Sequence, residues 1–182
     1  LGVYGRDGTG GQRAFPEHQH HHRRDDDLFH GFGVDGAEFA PRHAAFEKDG
    51  KRVWVTSEIG GTVSVIDNAT RQIKHKISFE IPGVPKEAIQ AVGVRVGKDR
   101  KKAFVALGPA NRIAVVDAQT FEVEKYLLVG QRVWQLAFSP DEKFLYTTNG
   151  VSNDISVIDV DNLEVIKSVP VGSYPWGVAV KD

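Results

Sequence analysis

The sequence contains no cysteine, which excludes disulfide bonds, thiolate metal sites and cysteine nucleophiles. It also lacks any apolar run near the roughly 18 residues that a membrane-spanning helix needs. Neither sign of charge dominates, since 23 Lys and Arg nearly balance 24 Asp and Glu, for a formal net charge of −1. This balance gives no electrostatic basis for binding nucleic acid or a membrane surface, and we expect neither as a partner.

Common catalytic and cofactor motifs are missing as well. No P-loop occurs, and the glycine-rich stretch at residues 5–11 precedes no predicted helix, as a dinucleotide-binding motif would. The β-rich part of the chain holds only two histidines, His43 and His75, at unrelated positions of the pattern, so no Ser-His-Asp triad can be assembled. From the missing motifs we therefore predict neither a catalytic residue nor a cofactor.

One pattern occurs three times in the C-terminal two-thirds of the chain, at Lys51–Asp67, Lys101–Asp117 and Lys143–Asp159. Each copy is a short alternating strand, a turn rich in Gly or Asn, and a second alternating strand that ends in Asp. A period of roughly forty to fifty residues with four short strands per unit is typical of a β-propeller blade. The sequence thus predicts an all-β propeller, in which the final Asp of each copy accepts hydrogen bonds from turn amides.

The pattern divides the chain into blades at 41–90, 91–132 and 133–173, followed by one strand at 174–182. Three blades do not close a ring, because propellers typically have four to eight. We expect this chain to be the C-terminal part of a larger propeller, in which the last strand completes a blade begun at the N-terminus. Alternation also predicts buried side chains in the strands. These are Val55, Val63, Val65, Val105, Val115, Tyr146, Val157 and Ile158.

Residues 1–40 lack the blade pattern and form the first predicted segment. Their histidine tract could bind metal weakly together with Asp25–Asp27, or be a purification tag interrupted by Gln19. A forward shift of the reading frame by one base instead permits Thr-Asn-Thr-Thr-Thr-Val-Val, which fits a blade. We weigh a frameshift or sequencing error against a natural divergent segment and a metal-binding tract, and expect disorder or poor packing. The candidate metal ligands are His18, His20, His21 and His22.

The innermost strands of a propeller start near its central channel, and large or charged residues occupy those starts here. Two tryptophans and two arginines around one opening suit an aromatic or anionic ligand, or a protein partner. The alternative is packing of the aromatic rings between blades. Glu58 lies in a turn and could act as a general base, but no histidine or second carboxylate repeats near it, so we expect it to be solvated. The binding candidates are Arg42, His43, Arg132, Trp134, Tyr174 and Trp176.

A second candidate for binding is the loop Phe79–Gln90, which is longer than the other connections between blades. Its two Pro and one Gly predict a loop rather than a strand. Loops at one rim of a propeller often carry binding, whereas a long surface loop is also tolerated without any role.

The segments Arg52–Asp67, Leu136–Asn149 and Asn153–Val180 resemble the YVTN family of β-propellers. Within that family the chain is most similar to propellers associated with PQQ-dependent alcohol catabolism. The resemblance implies a seven-bladed, periplasmic or secreted protein with an accessory role. We therefore expect a non-catalytic binding propeller linked to periplasmic PQQ-dependent alcohol oxidation, with a protein partner or small ligand at its rim.

Two enzymatic alternatives remain open. A propeller lactonase or hydrolase would need polar groups at the channel, where the sequence places Trp134 and Trp176. A haem-binding propeller of the nitrite-reductase type would need an axial histidine, and only His43 lies near the channel.

Overall fold

The computed structural model describes residues 2–4 and 40–181, and strands dominate these residues. The only helix there is a single 3₁₀ turn at Lys86–Ala88, and no helix is long and apolar enough to cross a membrane. The histidine tract and the proposed frameshift lie outside the described residues. The strands are β1 (Gly2–Tyr4), β2 (Pro41–Phe46), β3 (Arg52–Ser57), β4 (Thr62–Asp67), β5 (Ile73–Ser78), β6 (Val94–Val96), β7 (Lys102–Ala106), β8 (Arg112–Asp117), β9 (Val123–Leu128), β10 (Val133–Phe138), β11 (Phe144–Asn149), β12 (Asp154–Asp159), β13 (Glu164–Pro170) and β14 (Gly177–Ala179).

Twelve of these strands form three four-stranded antiparallel sheets, ordered β2-β3-β4-β5, β6-β7-β8-β9 and β10-β11-β12-β13. Strands that follow one another in the chain are neighbours in each sheet, as expected for propeller blades. Among the first strands of the three sheets, β6 contacts both β2 and β10. The fold is therefore the predicted all-β partial propeller, with these strands innermost.

The Asp that ends the third strand of each blade caps the following turn. Asp67 accepts hydrogen bonds from the amides of Ala69 and Thr70, at 3.0 and 2.8 Å. Asp117 and Asp159 accept equivalent bonds in the other two blades. The backbone hydrogen bonds lower the pKa of all three carboxyl groups, because they favour the charged form. The predicted capping role is confirmed.

Two apolar cores lie between the three blades. Trp54 and Val65 of the first blade pack on Val105 of the second. Phe104 and Val115, on the opposite face of the second blade, belong to the other core, which also contains Leu145 and Ile158 of the third blade.

Seven of the eight side chains predicted to be buried are buried, and Tyr146 is the exception at half-buried. Tyr146 follows Leu145 on β11 and so lies on the other face of the sheet. From beyond that blade, β14 contacts β11.

The last strand pairs with the first. β14 runs antiparallel to β1, with Gly2 opposite Ala179 and Tyr4 opposite Gly177. This pairing agrees with the expectation that the final strand completes a blade begun at the N-terminus. Of residues 1–40, which the sequence analysis treats as atypical, the structure describes the strand Gly2–Tyr4 and Ala40; the rest lies outside the described residues.

Threonine hydroxyls join neighbouring blades at the inner strands. Thr56 Oγ1 accepts a hydrogen bond from the amide of His43 at 3.0 Å and donates to the carbonyl of Val92, in the next blade, at 2.7 Å. Thr148 repeats this arrangement, accepting from the Gln135 amide at 3.1 Å and donating to a carbonyl at 3.2 Å. The equivalent residue of the second blade is Ala106, which has no hydroxyl.

Candidate functional site

Arg42 and Glu58 form an ion pair where the first blade begins. Arg42 Nε lies 3.3 Å from Glu58 Oε2, and the two side chains are 35% and 22% exposed, so a solvent molecule can reach both. The amide of Glu58 donates to the carbonyl of Ala40 at 3.1 Å, which ties its turn to the start of β2. Glu58 is thus partly exposed, as expected for a turn residue, and in addition it pairs with Arg42, which the sequence analysis did not predict.

Two guanidinium groups lie over the ring of Trp134. The guanidinium carbon of Arg42 is 5.4 Å from the ring centroid, and that of Arg132 is 4.7 Å away. Both distances are within the roughly 6 Å at which a cation and an aromatic ring attract each other. Gly150 allows this position of the indole, because a Cβ there would be 2.6 Å from Trp134 Nε1. Three of the predicted site residues are thus brought together.

The backbone of Arg132 is held in a left-handed conformation, with φ of 54°. Its amide donates to Asn111 Oδ1 of the preceding blade at 2.7 Å. Tyr174 repeats the arrangement one blade later, with φ of 51° and a bond of 2.8 Å to Asn153 Oδ1. In residues 2–4 and 40–181 no carboxylate forms an ion pair with Arg132, whose guanidinium lies over Trp134.

Tyr174 and Trp176 lie at the start of the last strand and are 65% and 54% exposed. The Trp176 carbonyl accepts the hydroxyl bond of Thr148. Both rings are thus largely uncovered by the described residues. Their role in binding stays a prediction.

His43 contacts a residue that the sequence analysis did not select. Arg95 Nη1 donates to His43 Nε2 and, at 2.8 Å, to the carbonyl of Val94. Burial, and then the charge of Arg95, lower the pKa of His43 to about 4, so its ring is neutral at neutral pH. Because its Nε2 is engaged by Arg95, His43 does not offer that nitrogen to a haem iron.

Burial also lowers the pKa of Arg95 itself, and no described carboxylate pairs with it. A signal for Arg95 was present in the repeat, because the equivalent positions of the other units hold Ala45, Ala137 and Ala179. A second missed residue is Gln135, whose buried Oε1 has no hydrogen-bond partner among the described residues. Both side chains start from innermost strands.

No cluster of three or more metal-binding side chains occurs in the described ranges. The site therefore consists of cationic, aromatic and carboxylate groups. Such a set can hold an anion, stack on an apolar face and accept a proton at Glu58.

Three solved structures show the same fold. Hydrazine synthase of Kuenenia stuttgartiensis aligns with a TM-score of 0.68 and 23% identity, over 80% of this chain and 40% of that one. A putative 6-phosphogluconolactonase from Bacteroides fragilis aligns with a TM-score of 0.66 and 22% identity, over 77% and 41%. A functionally unknown protein from Desulfotomaculum acetoxidans aligns with a TM-score of 0.65 and 13% identity, over 78% and 45%. The chain thus spans less than half of each structure.

No curated protein matches the sequence. A family described as Lactonase, 7-bladed beta-propeller matches residues 35–168, which is well over half of the chain. That span contains strands β2 to β12 and most of β13, and with them the Arg42–Glu58 pair and Trp134. The protein therefore belongs to the seven-bladed β-propeller lactonase family.

Proposed function

We propose that the intact protein hydrolyses an anionic lactone at the rim of its central channel, with Glu58 as general base. The observation that carries this proposal is the solvent-accessible Arg42–Glu58 pair beside the Arg132–Trp134 stack. The family match supports it, and a structural neighbour is itself described as a putative 6-phosphogluconolactonase.

The reaction needs one water molecule and one carboxylate. Glu58 accepts a proton from the water while the water oxygen attacks the carbonyl carbon of the lactone. The carbonyl oxygen becomes an oxyanion, which the Arg42 guanidinium stabilises. The ring C–O bond then breaks, the departing oxygen takes the proton from Glu58, and a hydroxy acid is released with the carboxylate regenerated.

The charges favour an anionic substrate. Glu58 offsets the charge of Arg42, whereas Arg132 and Arg95 have no carboxylate partner among the described residues. A channel lined with excess positive charge concentrates anions. In this proposal the Trp134 ring orients Arg132 toward the charged group of the substrate.

A lactonase needs polar groups at the channel, where the sequence places Trp134 and Trp176. Arg42 and Arg132 extend over Trp134 and supply polar groups at that position. The family match favours the lactonase over an accessory role in PQQ-dependent alcohol oxidation. That role, the periplasmic location and a protein partner at the rim remain weaker proposals from the resemblance.

The test is proton release from a neutral aldonolactone and from its phosphate ester, measured with the intact protein in a pH-stat. Glu58→Gln should lower kcat by about 10²-fold or more, the range of general-base catalysis. Glu124→Gln is the matched control, because it removes another ion-paired carboxylate. Glu124 lies on the outer strand β9, and its Oε2 is 2.5 Å from Lys102 Nζ. No hydrolysis by the unmodified protein, or full activity in Glu58→Gln, would refute the proposal.

A further inference from the structure

The long loop after the first blade is anchored firmly rather than loosely attached. Phe79, Ile81 and Ile89 are at most 8% exposed and belong to the core between the first two blades. Between them the chain makes the 3₁₀ turn Lys86–Ala88 at the surface. The loop is thus a fixed wall that can form one side of a binding site.

The turn that carries Glu58 packs closely against this loop. Gly61 has a φ of 59°, and a Cβ on it would lie 2.5 Å from the carbonyl oxygen of Ile89. Only glycine allows so close an approach in this conformation. Turn and loop therefore meet backbone to backbone and enclose a cleft between them.

The cleft carries hydrogen-bond donors and positive charge above an apolar floor. Phe79 and Ile89 form part of its lining, and no carboxylate lines it among the described residues. Lys86 is exposed and forms no ion pair with a described carboxylate. Glu80 lines a neighbouring cleft, to which Lys86 also contributes. The polar side chains of the lining are Thr62, Lys76, Ser78 and Lys86.

We propose that this cleft binds a small oxyanion, a phosphate or a carboxylate, at a site separate from the channel. Ammonium and hydroxyl groups around a concave surface without carboxylates suit such a ligand. A bound anion would connect Lys86 of the loop with Thr62 at the end of the turn. The other end of that turn holds Glu58, whose carbonyl accepts the Gly61 amide at 3.3 Å.

Occupancy of the cleft therefore stiffens the turn that positions Glu58 against Arg42. The binding of the anion does not depend on the proposed lactonase activity. Only its effect on catalysis rests on that proposed function, and the two are measured separately.

The experiment titrates the intact protein with inorganic phosphate, and separately with acetate, by calorimetry at low ionic strength. Lys86→Gln should weaken binding of the preferred anion about tenfold, as expected for loss of one charge-assisted contact. Lys167→Gln is the matched control, since Lys167 is an exposed lysine on the outer strand of the third blade, which lacks this loop. It should leave the affinity unchanged. The two titrants distinguish a phosphate site from a carboxylate site.

Three results would overturn the proposal: no saturable binding of either anion, equal affinity in Lys86→Gln, or loss of binding in Arg132→Gln instead, which would place the anion in the channel. Lys86-dependent phosphate binding to a protein that hydrolyses no lactone would support the cleft and refute the proposed activity. If lactones are hydrolysed, saturating anion should change kcat in the unmodified protein and not in Lys86→Gln.

Discussion

The hydroxyl of Thr56 should contribute strongly to stability, and Thr56→Val tests this at nearly constant volume. Thr56 is fully buried, and its hydroxyl serves two partners, the amide of His43 and the carbonyl of Val92 in the next blade. Valine fills the same space with a methyl group. The variant therefore leaves one donor and one acceptor without a partner.

The magnitude follows from the cost of unsatisfied buried groups, about 1–3 kcal/mol each. We expect Thr56→Val to lower the free energy of unfolding by about 2–4 kcal/mol. Thr148→Val breaks the equivalent pair of bonds, but its bond to the Trp176 carbonyl is longer, at 3.2 Å, and only partly buried. We expect a loss of about 1 kcal/mol there, because water can replace the hydroxyl.

The assay is equilibrium unfolding of the intact protein in urea, comparing midpoints at constant m-value. A Thr56→Val protein within about 0.5 kcal/mol of the unmodified one, which is the range of neutral surface changes, would refute the reasoning. So would an equal loss in Thr148→Val. Ala106→Thr adds a hydroxyl at the one equivalent position that lacks it, and a gain in stability there would extend the argument to the second blade.

Two further predictions concern the channel. The folded pKa of His43, about 4, lies below its unfolded value, so the unfolded chain binds the proton first as pH falls. The contribution of His43 to the free energy of unfolding should be constant above about pH 6.5 and fall by about 1–2 kcal/mol between there and pH 4, after allowance for partial exposure. His43→Gln should remove this part of the pH dependence in urea unfolding. An unchanged slope in that variant would contradict the assignment. Trp134→Ala should weaken binding of an anionic channel ligand by about 2 kcal/mol, as loss of an aromatic anchor does, while Trp134→Phe keeps most of the affinity; equal stability losses with unchanged binding would show that the ring only packs.

The strands and their caps could be predicted because they depend on local pattern. Val63 and Val65 alternate with polar positions, and each blade ends its third strand with an Asp before a turn. Both signals act within a few residues of the chain. Tyr146 shows the limit, because its burial depends on what covers the far face of a blade and not on its own strand.

The site could be predicted only in part, because its contacts join different blades. Arg42 and Trp134 were selected from their shared position in the repeat and Arg132 as a neighbour of that position, and the three do meet. The pairing of Arg95 with His43 depends on how far one blade is rotated from the next, which no local pattern states. Aligning the repeats and looking for positions where one unit differs from the others would have identified Arg95, because the other three units have alanine at that position.

The amide bonds from Arg132 to Asn111 and from Tyr174 to Asn153 have a consequence for how such a protein can change. Each bond uses only the backbone of the residue that starts the inner strand. An arginine and a tyrosine accept the same left-handed conformation there, although their side chains share little chemistry. The two asparagines thus maintain the hydrogen bond between blades whatever side chain the residue at the start of the inner strand carries. Ligand preference can diverge one blade at a time, by single substitutions that the fold tolerates.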